Sequence, residues 1–81
     1  MQDINALMVK TWTGEEKPVK KVLFFPETDE NGDVFYKIEG WNNNSYFMIA
    51  YSYNKEKVWN EYIELLQRLT EFHTNNLMAI S

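Results

Sequence analysis

The densest chemistry in this chain lies in one short stretch. ETDENGD, residues 27–33, carries the carboxylates Glu27, Asp29, Glu30 and Asp33 between two aromatic runs. Acidic side chains this close together can ligate a hard cation, offer a negative surface to a basic partner, or rim a solvated turn. A calcium loop of the EF-hand kind needs oxygen ligands at its first, third and fifth positions, Gly at the sixth and a bidentate Glu at the twelfth. Counted from Asp29, Asn31 and Asp33 fit, but the sixth position is Val34 and the twelfth is Gly40. Calcium is not expected. Two readings stay open: a hairpin turn whose charges only face water, and an acidic contact surface that a basic partner would neutralise.

No other residues assemble a reaction. His73 is the single histidine and there is no cysteine, so a transition-metal centre lacks ligands and neither a thiolate nor a disulfide can form. His73 reads as a surface or cap residue near a helix end, where the dipole mildly favours a cation. Ser45, Ser52 and Ser81 have only His73 as a base, and none sits in a turn like a nucleophile elbow. Gly14, Gly32 and Gly40 are too scattered for a phosphate loop. A domain of 81 residues also rarely encloses a catalytic pocket. The expectation is a protein with no enzyme activity, no cofactor and no metal.

The elements that must position the acidic stretch are legible from patterning. Val58, Trp59, Tyr62, Ile63, Leu65, Leu66, Leu69 and Phe72 recur at spacings of three and four, which predicts an amphipathic helix beginning after Asn54. Asn54 fits its N-cap, and Asn75-Asn76 marks its expected stop. Ahead of it, VKKVLFF (19–25), VFYKIEGW (34–41) and SYFMIAYSY (45–53) are rich in β-branched and aromatic residues. Asn31-Gly32 and Asn42-Asn43-Asn44 separate them, and both accept the positive φ angles that hairpins demand. Short connections of this kind predict an antiparallel meander.

On the second strand Val34, Tyr36 and Ile38 alternate with Phe35, Lys37, Glu39 and Trp41; the first set is expected in the core and the second on the other face. The third strand is apolar on both sides, Tyr46, Met48 and Ala50 against Phe47, Ile49, Tyr51 and Tyr53. That pattern suits a covered central strand or a sheet whose outer face meets a partner. At the N-terminus Ile4, Leu7, Met8 and Trp12 fit a short helix capped by Asp3; the alternative makes LMVKTWT a strand closed by GEEKP onto the next. The expected fold is one small α+β domain over 1–81. It is a three-stranded antiparallel meander packed by a long C-terminal helix, with a short N-terminal helix (αβββα, alternatively ββββα).

The αβββα order resembles that of double-stranded-RNA-binding domains, in order alone. The resemblance would imply a lysine-rich start to the last helix that grips phosphates. Here that stretch is NKEKVWNEYIE, mixed and then acidic, so RNA binding is not carried over.

Charge and composition narrow the partner. Twelve acidic residues against eight basic ones leave a net charge of −4, the wrong sign for a generic nucleic-acid binder, whose affinity comes from neutralising phosphates. With 44% hydrophobic residues the chain has the means to fold. No signal-peptide pattern or membrane-length apolar run is present, and with no cysteine the expected compartment is the cytoplasm. Seven of the eight basic residues are Lys, and with the abundant Asn this reads as the coding bias of a low-GC bacterium or its phage. In size, charge and lack of catalytic groups the chain resembles phage-encoded inhibitors such as anti-CRISPR proteins and uracil-DNA-glycosylase inhibitors. That resemblance implies a small protein that blocks a basic nucleic-acid-binding enzyme, with Glu27, Asp29, Glu30 and Asp33 steering the encounter and Phe35 and Trp41 as buried anchors. Two rivals remain: a module that self-associates through an edge strand or its aromatic face, as a homodimer, and a single-strand nucleic-acid binder that uses the aromatics as a stacking platform.

Overall fold

A computed structural model of the chain describes residues 6–80, with side chains as far as residue 75. Five strands precede one helix: β1 (Leu7–Lys10), β2 (Glu16–Val19), β3 (Lys21–Thr28), β4 (Val34–Asn42), β5 (Ser45–Ser52) and α1 (Lys55–Ile80). β1 and β2 form an antiparallel ribbon, and β3-β4-β5 form the expected antiparallel meander. The α+β class and the long C-terminal helix are as the patterning predicts.

The expected N-terminal helix is replaced by β1, where residues are described; Asp3 and Ile4, its proposed start, lie outside them. The reason is local. Val9 is buried between the exposed Met8 and Lys10, a period of two and not of 3.6. The chain then reverses at once: Gly14 takes a φ of 92°, the Thr11 N–H donates to the Glu15 carbonyl at 2.7 Å and the Gly14 N–H to the Thr11 carbonyl at 2.9 Å. The strand alternative comes nearer, but it runs β2 into β3. Lys20 separates them by a bend, its N–H donating to the Trp41 carbonyl at 2.7 Å. With βββββα in place of αβββα, the likeness in order to double-stranded-RNA-binding domains also lapses.

The ribbon folds over the inner face of the meander. Its turn reaches the edge of β5, where the Trp12 N–H donates to the Met48 carbonyl at 2.9 Å. The helix packs against the same face. Val9, Val19, Val22, Ile38, Val58, Leu65 and Leu69 make the buried core, flanked by Phe24, Phe47, Tyr62 and others. Asn54 caps the helix as expected, its Oδ1 accepting the Lys57 N–H at 3.3 Å. Asn75-Asn76 does not stop it. Asn is only a modest helix breaker, and neither Gly nor Pro follows it.

One irregularity decides which side chains face outward. β4 and β5 pair Ile38 with Ala50 but Glu39 with Met48, so Ile49 is an extra residue in β5, a bulge. The bulge shifts the alternation by one. Phe47 and Ala50 therefore both look inward, while Tyr46, Met48 and Tyr51 look outward. β5 reads as apolar on both faces because its two halves have opposite parity.

Candidate functional site

Among the described residues, no helix and no second sheet covers the outer face of the meander. Across its register it presents Lys21, Leu23, Phe25 and Glu27 of β3, Phe35, Lys37, Glu39 and Trp41 of β4, and Tyr46, Met48 and Tyr51 of β5. Leu23 is 39% exposed, Tyr46 62% and Trp12, which leans on the edge, 53%. At the hairpin end, Trp12 packs on Tyr51 with ring centres 4.6 Å apart, and Phe35 touches Tyr51 and Tyr53 at 5.8 and 5.7 Å. At the other end Trp41 stacks on Tyr46 at 4.8 Å, with the Lys21 ammonium 5.5 Å from its ring. A shallow depression of about 360 Å³ lies at the hairpin end, lined by Trp12, Glu27, Phe35, Lys37, Met48 and Tyr51.

A charge cluster occupies the middle of the face. Lys37 Nζ lies 2.8 Å from Glu27 and 3.5 Å from Glu39, and 5.0 Å from the centre of the Phe25 ring. The hydrogen bond to Glu27 raises the Lys37 pKa, against a smaller opposing effect of partial burial. Trp41 Nε1–H donates to Glu39 Oε1 at 3.2 Å. Each charge is thereby held in place on an otherwise aromatic surface.

The four carboxylates of the 27–33 stretch separate into different jobs. Glu27 sits on the open face as the partner of Lys37. Asp29 organises the loop: its Oδ1 accepts the N–H groups of Asn31 and Asp33, both at 2.9 Å, and its Oδ2 accepts the Tyr53 hydroxyl at 2.7 Å. Gly32, with a φ of 86°, closes the turn. Both Asp29 oxygens are thus engaged by donors of the chain. Glu30 and Asp33 are exposed and make no ion pair among the described residues. No group of three or more His, Asp or Glu among the described residues is arranged to hold a metal ion. No helix among them is long and apolar enough to cross a membrane.

Phe35 and Trp41 do share the outer face. They stand at opposite ends of it, six residues apart on one strand and so about 20 Å from each other. Phe35 is paired across the sheet with Glu27, close to the acidic tip; Trp41 is remote from it. Sequence reasoning missed Trp12, which a helix would have placed elsewhere, and the locking of Lys37 between two carboxylates. A signal for Lys37 exists: Glu39 is two residues along the same strand, hence on the same face.

The Tyr53–Asp29 bond predicts a pH signature. The Tyr53 hydroxyl, then the Asp33 and Asn31 amides, hold the Asp29 carboxyl below its usual range, and the same bond raises the Tyr53 phenol. A lowered carboxyl stabilises the fold above its unfolded value and loses that contribution as pH falls below about 4. A raised phenol stabilises below its unfolded value and loses that contribution as pH climbs above about 10. Tyr53→Phe should move the Asp29 carboxyl titration, followed by NMR, to higher pH and remove the phenol's share of the alkaline loss, leaving the share of the raised Lys37. An unchanged Asp29 titration would show that the tether does not hold in solution.

Comparison with protein-family models, curated proteins and solved structures finds none that matches this chain.

Proposed function

We propose that this protein works by binding another protein through the outer face of its meander, without catalytic chemistry of its own. The observation that carries the reading is the uncovered aromatic face itself. Helix and ribbon both pack on the inner side, which leaves two aromatic patches exposed on either side of the Lys37 charge cluster, and exposed apolar patches mark interaction surfaces. The aromatic ends supply anchors of the kind that dominate binding energy.

The hairpin tip sets the chemistry of the partner. Asp29 stays ionised because its hydrogen bonds favour the charged form, and Glu30 and Asp33 add two exposed charges beside it. That negative tip favours a basic surface, and a protein that occupies such a surface on a nucleic-acid-binding enzyme blocks it. A stacking platform for single strands is the weaker reading. Lys37 is engaged by two carboxylates, which leaves Lys20 and Lys21 to meet phosphates at one end only.

The experiment is retention from a bacterial lysate on immobilised wild-type protein and two variants, Trp41→Ala and the double reversal Glu30→Lys, Asp33→Lys. A retained basic nucleic-acid-processing enzyme should bind the Trp41 variant by about 2 kcal/mol less tightly. It should associate about tenfold more slowly with the reversal, with a flatter salt dependence. Retention indifferent to both variants would overturn the reading.

A further inference from the structure

We infer that, when no other partner is bound, a second copy of this chain covers the outer face in a two-fold dimer with its strands running opposite to the first. The inference rests on the reading that this face is a contact surface, and goes further by naming its occupant. Two copies packed face to face by a two-fold axis have two simple arrangements, because that axis must lie in the plane between them. If it runs along the strands, Lys37 faces Lys37 and Glu39 faces Glu39, and like charges repel. If it runs across the strands, between Lys37 and Glu39, every position meets a complement.

The register shows this strand by strand. β4 pairs Leu23 with Glu39 and Phe25 with Lys37, and Lys21 with Trp41 and Glu27 with Phe35. An axis crossing between residues 37 and 39 on β4 therefore crosses between residues 23 and 25 on β3. It sets Lys21 over Glu27 of the second copy, Leu23 over Phe25, Lys37 over Glu39 and Phe35 over Trp41. The acidic tip of each copy then lies toward Lys20 and Lys21 of the other. Charge meets opposite charge, and ring meets ring. The arrangement is that of two aligned sheets, about 10 Å apart.

The size of the face sets the strength. β4 is about 30 Å long and three strands span about 14 Å, so each copy offers roughly 400 Å² of footprint before Trp12 and Tyr53 at the margin are added. The two copies together bury roughly 800 Å², below the roughly 1,000 Å² of a stable interface and in the range of weak, transient contacts, so the dimer is expected to dissociate in the high micromolar range. A tighter partner would displace it.

The test uses charge exchange read by sedimentation equilibrium from about 1 to 500 μM, with circular dichroism to confirm that each variant is folded. Lys21→Glu alone sets a carboxylate against Glu27 at both ends of the dimer, and Glu27→Lys alone sets an ammonium against Lys21 there. Each should weaken self-association about tenfold or more. Mixed together, the two variants again oppose carboxylate to ammonium at both ends, with the signs exchanged at one of them. The mixture should form a heterodimer several-fold tighter than either variant's homodimer, short of wild-type affinity because Glu27→Lys also removes the partner of Lys37 within its own chain. Wild type that stays monomeric at the top of that range, or a mixture that associates no better than its components, would overturn the two-fold dimer. In that event, loss of lysate retention by Trp41→Ala would still uphold the face as a contact surface for a different protein, and unaffected retention would remove both readings.

Discussion

Replacing Ile38 with Ala should destabilise the protein by about 2–5 kcal/mol, the range for truncating a large aliphatic side chain in a closed core. Ile38 is 0% exposed and lies on the central strand, paired with Phe24 on one side and Ala50 on the other. Neither neighbour can collapse easily into the space. Phe24 is held by ring contacts to Tyr36, Trp59 and Tyr62 at 6.0, 5.2 and 5.6 Å, and Ala50 follows the bulge. A chain of 81 residues has a total stability of only about 4–12 kcal/mol, so the loss is a large share of it. The expected fall in melting temperature is roughly 10–30 °C. Leu23→Ala supplies the contrast. Leu23 is a similar side chain one strand away, but on the outer face and 39% exposed, and in dilute solution its truncation should cost under about 1.5 kcal/mol. Equal losses for the two would mean that the inner and outer faces have been assigned wrongly.

That contrast rests on the part of the fold that is legible in the sequence. Alternation alone assigns Ile38 and Trp41 to opposite faces, and the register agrees. Asn54 and the three-four spacing from Val58 to Phe72 locate the helix because capping and amphipathicity are local signals. What escapes is set by contacts distant in sequence. Leu7, Met8 and Trp12 have both helical and strand spacing, and the choice falls to strand because Val9 and Val19 join a core assembled from β3, β4 and α1. The Ile49 bulge leaves no mark in composition, yet it determines which of Phe47, Met48 and Tyr51 face outward.

The candidate site is legible to a similar depth. Four carboxylates in seven residues announce a feature but not its division of labour. Asp29 is bound by Tyr53, which is 24 residues away in sequence, and Glu27 by Lys37 across the hairpin. Pairing across a sheet depends on register, and register is fixed by turn geometry and burial together. The consequence for binding is specific. The tip keeps its negative charge, but only Glu30 and Asp33 can reorient toward a partner without breaking an internal side-chain contact.

Gly40 shows how far the same register constrains a single position, and Gly40→Ala is expected to destabilise the protein by about 1–2 kcal/mol. Exchanging a strand glycine for alanine ordinarily stabilises by about 0.4–1 kcal/mol, because the unfolded chain loses freedom, and Gly40 has no positive φ to object. Packing reverses the sign. A Cβ at residue 40 would lie 2.9 Å from Cε2 and Cζ of Phe47 and 3.0 Å from Cδ1 of Ile49, and overpacking of that order costs about 1–3 kcal/mol. The Phe47 ring has little room to swing away, since it packs against the core cluster and has the Lys17 ammonium 5.7 Å from its centre. If the ring is the obstacle, Phe47→Leu should relieve it. Chemical denaturation of the two single variants and the double should then show the double less destabilised than the sum, by about 0.5–3 kcal/mol. Strict additivity would exonerate Phe47, and a stabilised Gly40→Ala would mean that β4 and β5 do not approach this closely beneath the ribbon.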